Sequence, residues 1–205
     1  MYTTPAATVH TSVGRRAMCA ALAALAVMGT PSPAAASCWE AAGARYGVHP
    51  WLLAAIAKVE SGFNPRAVNE SHFARTGSVD LGLMQINSQW LPVLARHGIT
   101  REHLFEPCTS VTVAAWILAD LFARYGVTWE AIGAYNAACV RLEAAACTAR
   151  RAGYARKVEA ALRELTRTAP GRDSSLHPES ILLITVARAP GSDGVAPKRD
   201  GRGSK

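Results

Sequence analysis

Between Cys38 and Leu165 the sequence is a succession of apolar segments with helical spacing, most closed by a glycine, and no convincing alternating strand interrupts them. That pattern confines the region to an all-α fold with one core. Residues 38–46 read as a short helix ending near Gly47. Pro50 suits the first turn of a second helix, in which Leu52, Leu53, Ile56 and Val59 recur on one face before Gly62 and Pro65 stop it. Residues 62–80 are polar and glycine-containing and read as a long loop, followed by a compact apolar–polar segment from Gly82 to Asn87. A helix over 89–97 is stopped by Gly98, and Thr100 is placed to cap a short turn. Thr109 or Ser110 is placed to cap a longer helix through Tyr125, closed by Gly126, with Val113, Trp116, Ile117 and Leu121 in its inward rows. Thr128 is placed to cap a helix over 131–137, and a last helix spans about 150–165.

The two ends read differently. Arg15 and Arg16, the apolar stretch 17–29 and the small residues Ala34-Ala35-Ala36 have the three parts of a secretory signal, with cleavage expected after Ala36. The residues after the paired arginines lack the bulky pattern of the twin-arginine route. No apolar run reaches the ~18–20 residues of a membrane-spanning helix. Residues 167–205 are rich in Pro, Gly and basic residues and read as a disordered tail, with one apolar island over 180–187 that reads as a stray strand or a docking segment. The expected organisation is therefore 1–36 signal, 37–166 domain and 167–205 tail.

Export would place the domain in an oxidising compartment, with Cys38, Cys108, Cys139 and Cys147 left after removal of Cys19. Four cysteines allow three pairings. Proximity favours Cys139–Cys147 and hence Cys38–Cys108, which closes a long loop. Lipidation of Cys38 would leave an odd cysteine, and Ala35 stands where a lipoprotein signal carries a branched aliphatic residue, so a free periplasmic protein is expected. The formal charge of +7 sits mostly at the two ends. Export and the lack of a reading motif argue against nucleic acid, and weak attraction to an anionic cell wall is the natural use of the excess. The cysteines lack zinc spacing, and His49, His72, His97 and His103 lack any ligand spacing, so neither metal nor cofactor is expected.

Three segments carry the chemistry. Glu60 ends an apolar helix and is followed by Ser61-Gly62-Phe63-Asn64-Pro65. A carboxyl group against an apolar surface loses solvation, its pKa rises, and it can act as a general acid near neutral pH. Gly82-Leu83-Met84-Gln85-Ile86-Asn87 offers amides to sugar hydroxyl and acetamido groups, and Ala134-Tyr135-Asn136 offers a phenolic hydroxyl. Each alone is weak. Their order and spacing, with the later Tyr154-Ala155-Arg156-Lys157-Val158 run, resemble the lytic transglycosylase domain of the soluble-transglycosylase type over residues 38–165. Cys38-Trp39, Pro107-Cys108 before Trp116-Ile117-Leu118-Ala119, and Gly77-Ser78-Val79-Asp80 narrow the resemblance. They point to the small exported transglycosylases of type III and type IV secretion, conjugation and pilus systems. The stretch between Cys139 and Cys147 replaces a glycine usual after Asn136, and the tail lies outside the family pattern.

The resemblance implies a lysozyme-like helical domain with a glycan groove. In it Glu60 protonates the glycosidic oxygen between N-acetylmuramic acid and N-acetylglucosamine, and the muramic C6 hydroxyl closes a 1,6-anhydro ring. It also implies that Gln85 and Tyr135 position Glu60 or the acetamido group, and that Ser61, Met84, Asn87 and Asn136 support helix ends or line subsites. The expected partner is peptidoglycan, beside a secretion or pilus apparatus, and the protein is expected to be a monomer. Two rival readings stand. Asp80 could activate water, as in a hydrolysing lysozyme, or cap the turn at Gly82. Alternatively, the protein is a non-catalytic assembly factor recruited through its tail.

Overall fold

The computed structural model describes residues 37–139 and 142–168, together with Pro178, Ser180 and Ile181. The expected signal over 1–36, Cys19 and most of the tail lie outside the described residues. No helix among the described residues is long and apolar enough to cross a membrane.

The described residues hold seven α-helices and a small sheet. They run α1 (Cys38–Tyr46), α2 (Pro50–Ser61), β1 (Val68–Asn69), α3 (Phe73–Thr76), β2 (Asp80–Leu81), β3 (Ile86–Asn87) and α4 (Leu91–Ala95). Helices α5 (Pro107–Tyr125), α6 (Trp129–Asn136) and α7 (Ala144–Thr168) follow. One-turn 3-10 helices precede α4, at Ser88–Trp90, and α5, at Glu102–Phe105. The fold is mostly helical, as the spacing of apolar residues predicts.

Helix α5 packs on α1, α2 and α6, and α7 packs on α2 and α6. Leu52, Leu53 and Ile56 of α2, Leu118 of α5, Ile132 of α6 and Leu162 of α7 are all fully buried where these helices meet. Each such side chain contributes about 1.5–3 kcal/mol by leaving water. Gly133 lets α6 and α7 approach closely: a Cβ there would stand 2.6 Å from the Arg151 backbone carbonyl oxygen. Arg151 is itself buried, and its guanidinium donates to the Ala137 carbonyl at 3.0 Å and to Glu130 at 2.8 Å. Disulfides join Cys38 to Cys108, tying α1 to the start of α5, and Cys139 to Cys147, tying the end of the α6 loop to the first turn of α7.

Several boundaries differ from the sequence reading. Helix α5 starts at Pro107, before either predicted cap, because proline at the first helical position lacks only an N–H that would have no partner there. Ser110, freed from capping, is buried and accepts a hydrogen bond from the Met84 backbone N–H at 3.1 Å. Thr100 does not cap its turn; its hydroxyl donates to Glu102. Thr128 does cap α6, accepting from the Ala131 N–H at 3.2 Å. Helix α7 begins six residues earlier than the spacing predicts and includes Cys147.

The stretch read as one long loop contains α3 and two strands of an antiparallel sheet ordered β1-β2-β3. Strands of two residues are too short to show alternation, which explains their absence from the sequence reading. The register sets Asn69 opposite Asp80 and Asp80 opposite Asn87, so these three side chains share one face. Leu81 and Ile86, the next cross-strand pair, are buried. In the tail, Ile181 is helical and fully buried in the hydrophobic core, which favours docking over a stray strand at that point of the apolar island.

Candidate active site

Helix α2 is closed by Gly62 in the left-handed conformation, its N–H returning to the Ala57 and Lys58 carbonyls. Glu60 therefore occupies the last turn, where a carboxylate has no help from the helix dipole. Its Oε1 accepts a hydrogen bond from the Tyr154 hydroxyl of α7 at 2.5 Å. Burial pushes the Glu60 carboxyl up from 4.5 to about 7, the Tyr154 bond and the Lys157 charge opposing the rise and the Asp80 charge adding to it. Burial, then the Glu60 charge, holds the Tyr154 hydroxyl well above the usual tyrosine range, so it stays a donor.

The Gly82–Asn87 segment is fastened at the foot of this helix. Ser61 Oγ donates to the Leu83 carbonyl at 2.7 Å. The Tyr135 hydroxyl on α6 donates to the Met84 carbonyl at 2.9 Å. Gln85, at φ 48°, donates from its side-chain amide to the Gly82 carbonyl at 2.9 Å and the Ala67 carbonyl at 3.2 Å. Gly82 is required twice over: its φ is 74°, and a Cβ would fall 2.0 Å from the Leu104 carbonyl oxygen. The turn is thereby bolted to α2, α5, α6 and the sheet at once.

A hollow of about 290 Å³ opens beside Glu60. Val59 and Glu60 of α2 line one side, Asn136 the end of α6, and Arg150, Gly153, Tyr154 and Lys157 the face of α7. Glu60 is the only carboxylate among its lining residues.

The structure thus separates the residues that the resemblance singled out. Glu60 and Asn136 reach the hollow. Ser61, Gln85 and Tyr135 direct their hydrogen bonds to backbone carbonyls of the turn. Of the two roles expected for Met84, support or subsite lining, its position favours support: its side chain is fully buried, because the turn needs an apolar foot in the core, while its backbone N–H donates to Ser110 and its carbonyl accepts from Tyr135. Asn87 caps the following 3-10 turn and donates to Asp80 at 2.8 Å. Asp80's second oxygen accepts from Asn69 at 3.3 Å, and His72 Nε2 lies 3.6 Å from the first. Tyr154, Arg150, Gly153 and Lys157 were not singled out as site residues. Tyr154 and Lys157 lie in the Tyr154-Ala155-Arg156-Lys157-Val158 run of the family pattern, whereas nothing in the sequence points to Arg150 or Gly153.

Comparison with known proteins gives a concordant picture. The chain is 47% identical over 103 residues to invasion protein IagB of Salmonella typhimurium, covering 50% of this chain and 62% of that protein. It is 48% identical over 103 residues to protein IpgF of Shigella flexneri, covering 50% and 66%. To the X polypeptide of Escherichia coli it is 42% identical over 125 residues, covering 60% and 71%. The chain thus spans somewhat less than two thirds of the length of the first of these relatives. The Transglycosylase SLT domain profile matches residues 37–156, which include α1 to α6, the Glu60 helix end, the fastened turn and the Tyr154 donor. With more than half of its length inside that match, the chain belongs to the transglycosylase SLT domain family.

Proposed function

We propose that the protein is a peptidoglycan lytic transglycosylase with Glu60 as its one acid/base. The observation that carries this reading is a carboxyl group poised near pH 7 as the sole acid of an open hollow. Protonated Glu60 donates its proton to the glycosidic oxygen of the bond between N-acetylmuramic acid and N-acetylglucosamine, and the C1–O bond breaks. The resulting carboxylate then takes the proton of the C6 hydroxyl of the same muramic residue as that oxygen bonds to C1. The product is a 1,6-anhydro ring, no water is consumed, and Glu60 ends protonated. A second carboxylate, required by many glycosidases, has no task in this scheme. The hydrogen bonds that Asp80 accepts from Asn69 and Asn87 favour a fastening role for it over activation of water. The finer resemblance of the motifs points further to a periplasmic enzyme that opens the wall locally for a secretion or pilus apparatus; the family match supports action on the wall.

The test is digestion of purified peptidoglycan by the oxidised protein beside a Glu60→Gln control, with products read by mass spectrometry. Anhydro-muropeptides, one water lighter than reducing ones and absent from the control, are expected. Reducing ends would transfer the chemistry to water and to Asp80. No cleavage by a folded, disulfide-bonded sample would favour an assembly factor.

A further inference from the structure

The α7 wall of the hollow has a composition that helix stability does not explain. Arg150, Gly153 and Lys157 stand at i, i+3 and i+7, a single face two turns long, about 10 Å from end to end. All three line the hollow with Glu60. Both cations are exposed, and neither takes part in an ion pair among the described residues. Lys157 nevertheless lies near enough for its charge to act on Glu60.

Gly153 adds an independent observation. Glycine inside a helix costs about 1 kcal/mol relative to alanine. At Gly133 close packing explains the choice, because a Cβ would meet the Arg151 backbone at 2.6 Å. At Gly153 a Cβ would meet nothing nearer than an Arg156 guanidinium nitrogen at 3.9 Å. The protein's own packing therefore does not call for this glycine, and the space it leaves belongs to the hollow.

We propose that the Arg150–Gly153–Lys157 face is the recognition wall for the peptide stem of the substrate, its two cations taking the free carboxylates of the stem and Gly153 giving the stem room. This rests on the transglycosylase reading and extends it to a substrate class: muramic residues bearing an anionic peptide, in preference to bare or neutralised strands. Arginine presents a planar fork to a carboxylate, and lysine a point charge, so the two ends of the wall suit carboxylates about two helical turns apart.

The test uses the full chain on three forms of one peptidoglycan: native, with stem carboxylates converted to amides, and with stems removed by an amidase. Wild-type kcat/KM is expected to fall about tenfold on amidation, the size of one lost charge-assisted hydrogen bond. Arg150→Gln is expected to lower the rate on native wall by a similar factor and to shrink the difference between native and amidated wall, Lys157 keeping the remainder. Gly153→Leu, which takes up the room beside α7, is expected to fold normally and to lose more activity on stem-bearing strands than on stripped ones. An undiminished native-to-amidated ratio in Arg150→Gln overturns the proposal. So does an equal effect of Arg150→Gln on stripped strands, since that assigns the contact to the glycan strand rather than to the stem. Co-sedimentation of Glu60→Gln protein with native and amidated wall, with and without Arg150→Gln, reads the same preference without cleavage. Failure of wild-type protein to release anhydro ends from any substrate therefore counts against the transglycosylase reading alone.

Discussion

Two acidic side chains lie within electrostatic reach of one another and illustrate two ways of holding a carboxyl group. Glu60 projects from a helix end into packed helices, half-buried and with one hydroxyl donor, and loss of solvation raises its pKa to about 7. Asp80 sits on a strand between two asparagine amides, with a histidine beside them. Burial with a single donor favours the acid form of Glu60. The helical region thus produces a group able to give a proton, and the sheet region positions, through amide hydrogen bonds, a carboxyl group whose charge adds to the rise at Glu60.

The largest test of this contrast is activity. Glu60→Gln should reduce release of anhydro ends by about 10²–10⁴-fold, the usual worth of a general acid/base. Asp80→Asn should leave most of the rate; an equal loss in both variants would dissolve the distinction between the two carboxyl groups.

Stability against pH comes next. Glu60 binds its proton more tightly in the folded than in the unfolded state, so the folded state carries more protons between pH 4.5 and about 7. Stability should therefore fall as pH rises through that window, by up to about 3 kcal/mol, and be fully restored only below pH 4.5. Denaturant unfolding at pH 4 and pH 8 measures the loss, which Glu60→Gln should remove. A wild-type protein equally stable at both pH values would mean that the carboxyl group is not held up by burial.

A smaller effect separates the two causes acting on Glu60. Activity that needs the protonated acid should decline above about pH 7. Tyr154 donates to Glu60 and lowers its pKa, so Tyr154→Phe should move the alkaline limb of the rate profile upward, by about one pH unit. A downward shift would show that the hydroxyl does not stabilise the carboxylate.

The smallest is the reach of Asp80. Removing its charge in Asp80→Asn should move the same limb downward by roughly half a pH unit, the size of a screened charge pair. No movement would leave Asp80 with a purely structural place in the sheet.

Much of this site is local and so was visible in the chain. The apolar face of α2, the glycine that ends it and the position of Glu60 in its last turn all follow from residues 50–62. Thr128 announces α6 because a cap acts on the next three residues. The small sheet was invisible because its strands are two residues long and its register depends on pairing. For Met84 the sequence leaves support and subsite lining open, because nothing near it in sequence tells which side of a turn meets the core.

The sequence by itself determined the longer helices, the order of the motifs, the place of Glu60 at a helix end and the four cysteines, all of which are set by neighbours a few residues apart. Only the tertiary structure decided what Glu60 is chemically. Its pKa depends on desolvation by packed helices, on a hydroxyl 94 positions away in the chain and on a charge from the sheet. Desolvation and Coulomb interactions act through distance in space, and the distance between Glu60 and Tyr154 is fixed by the packing of α2 against α7.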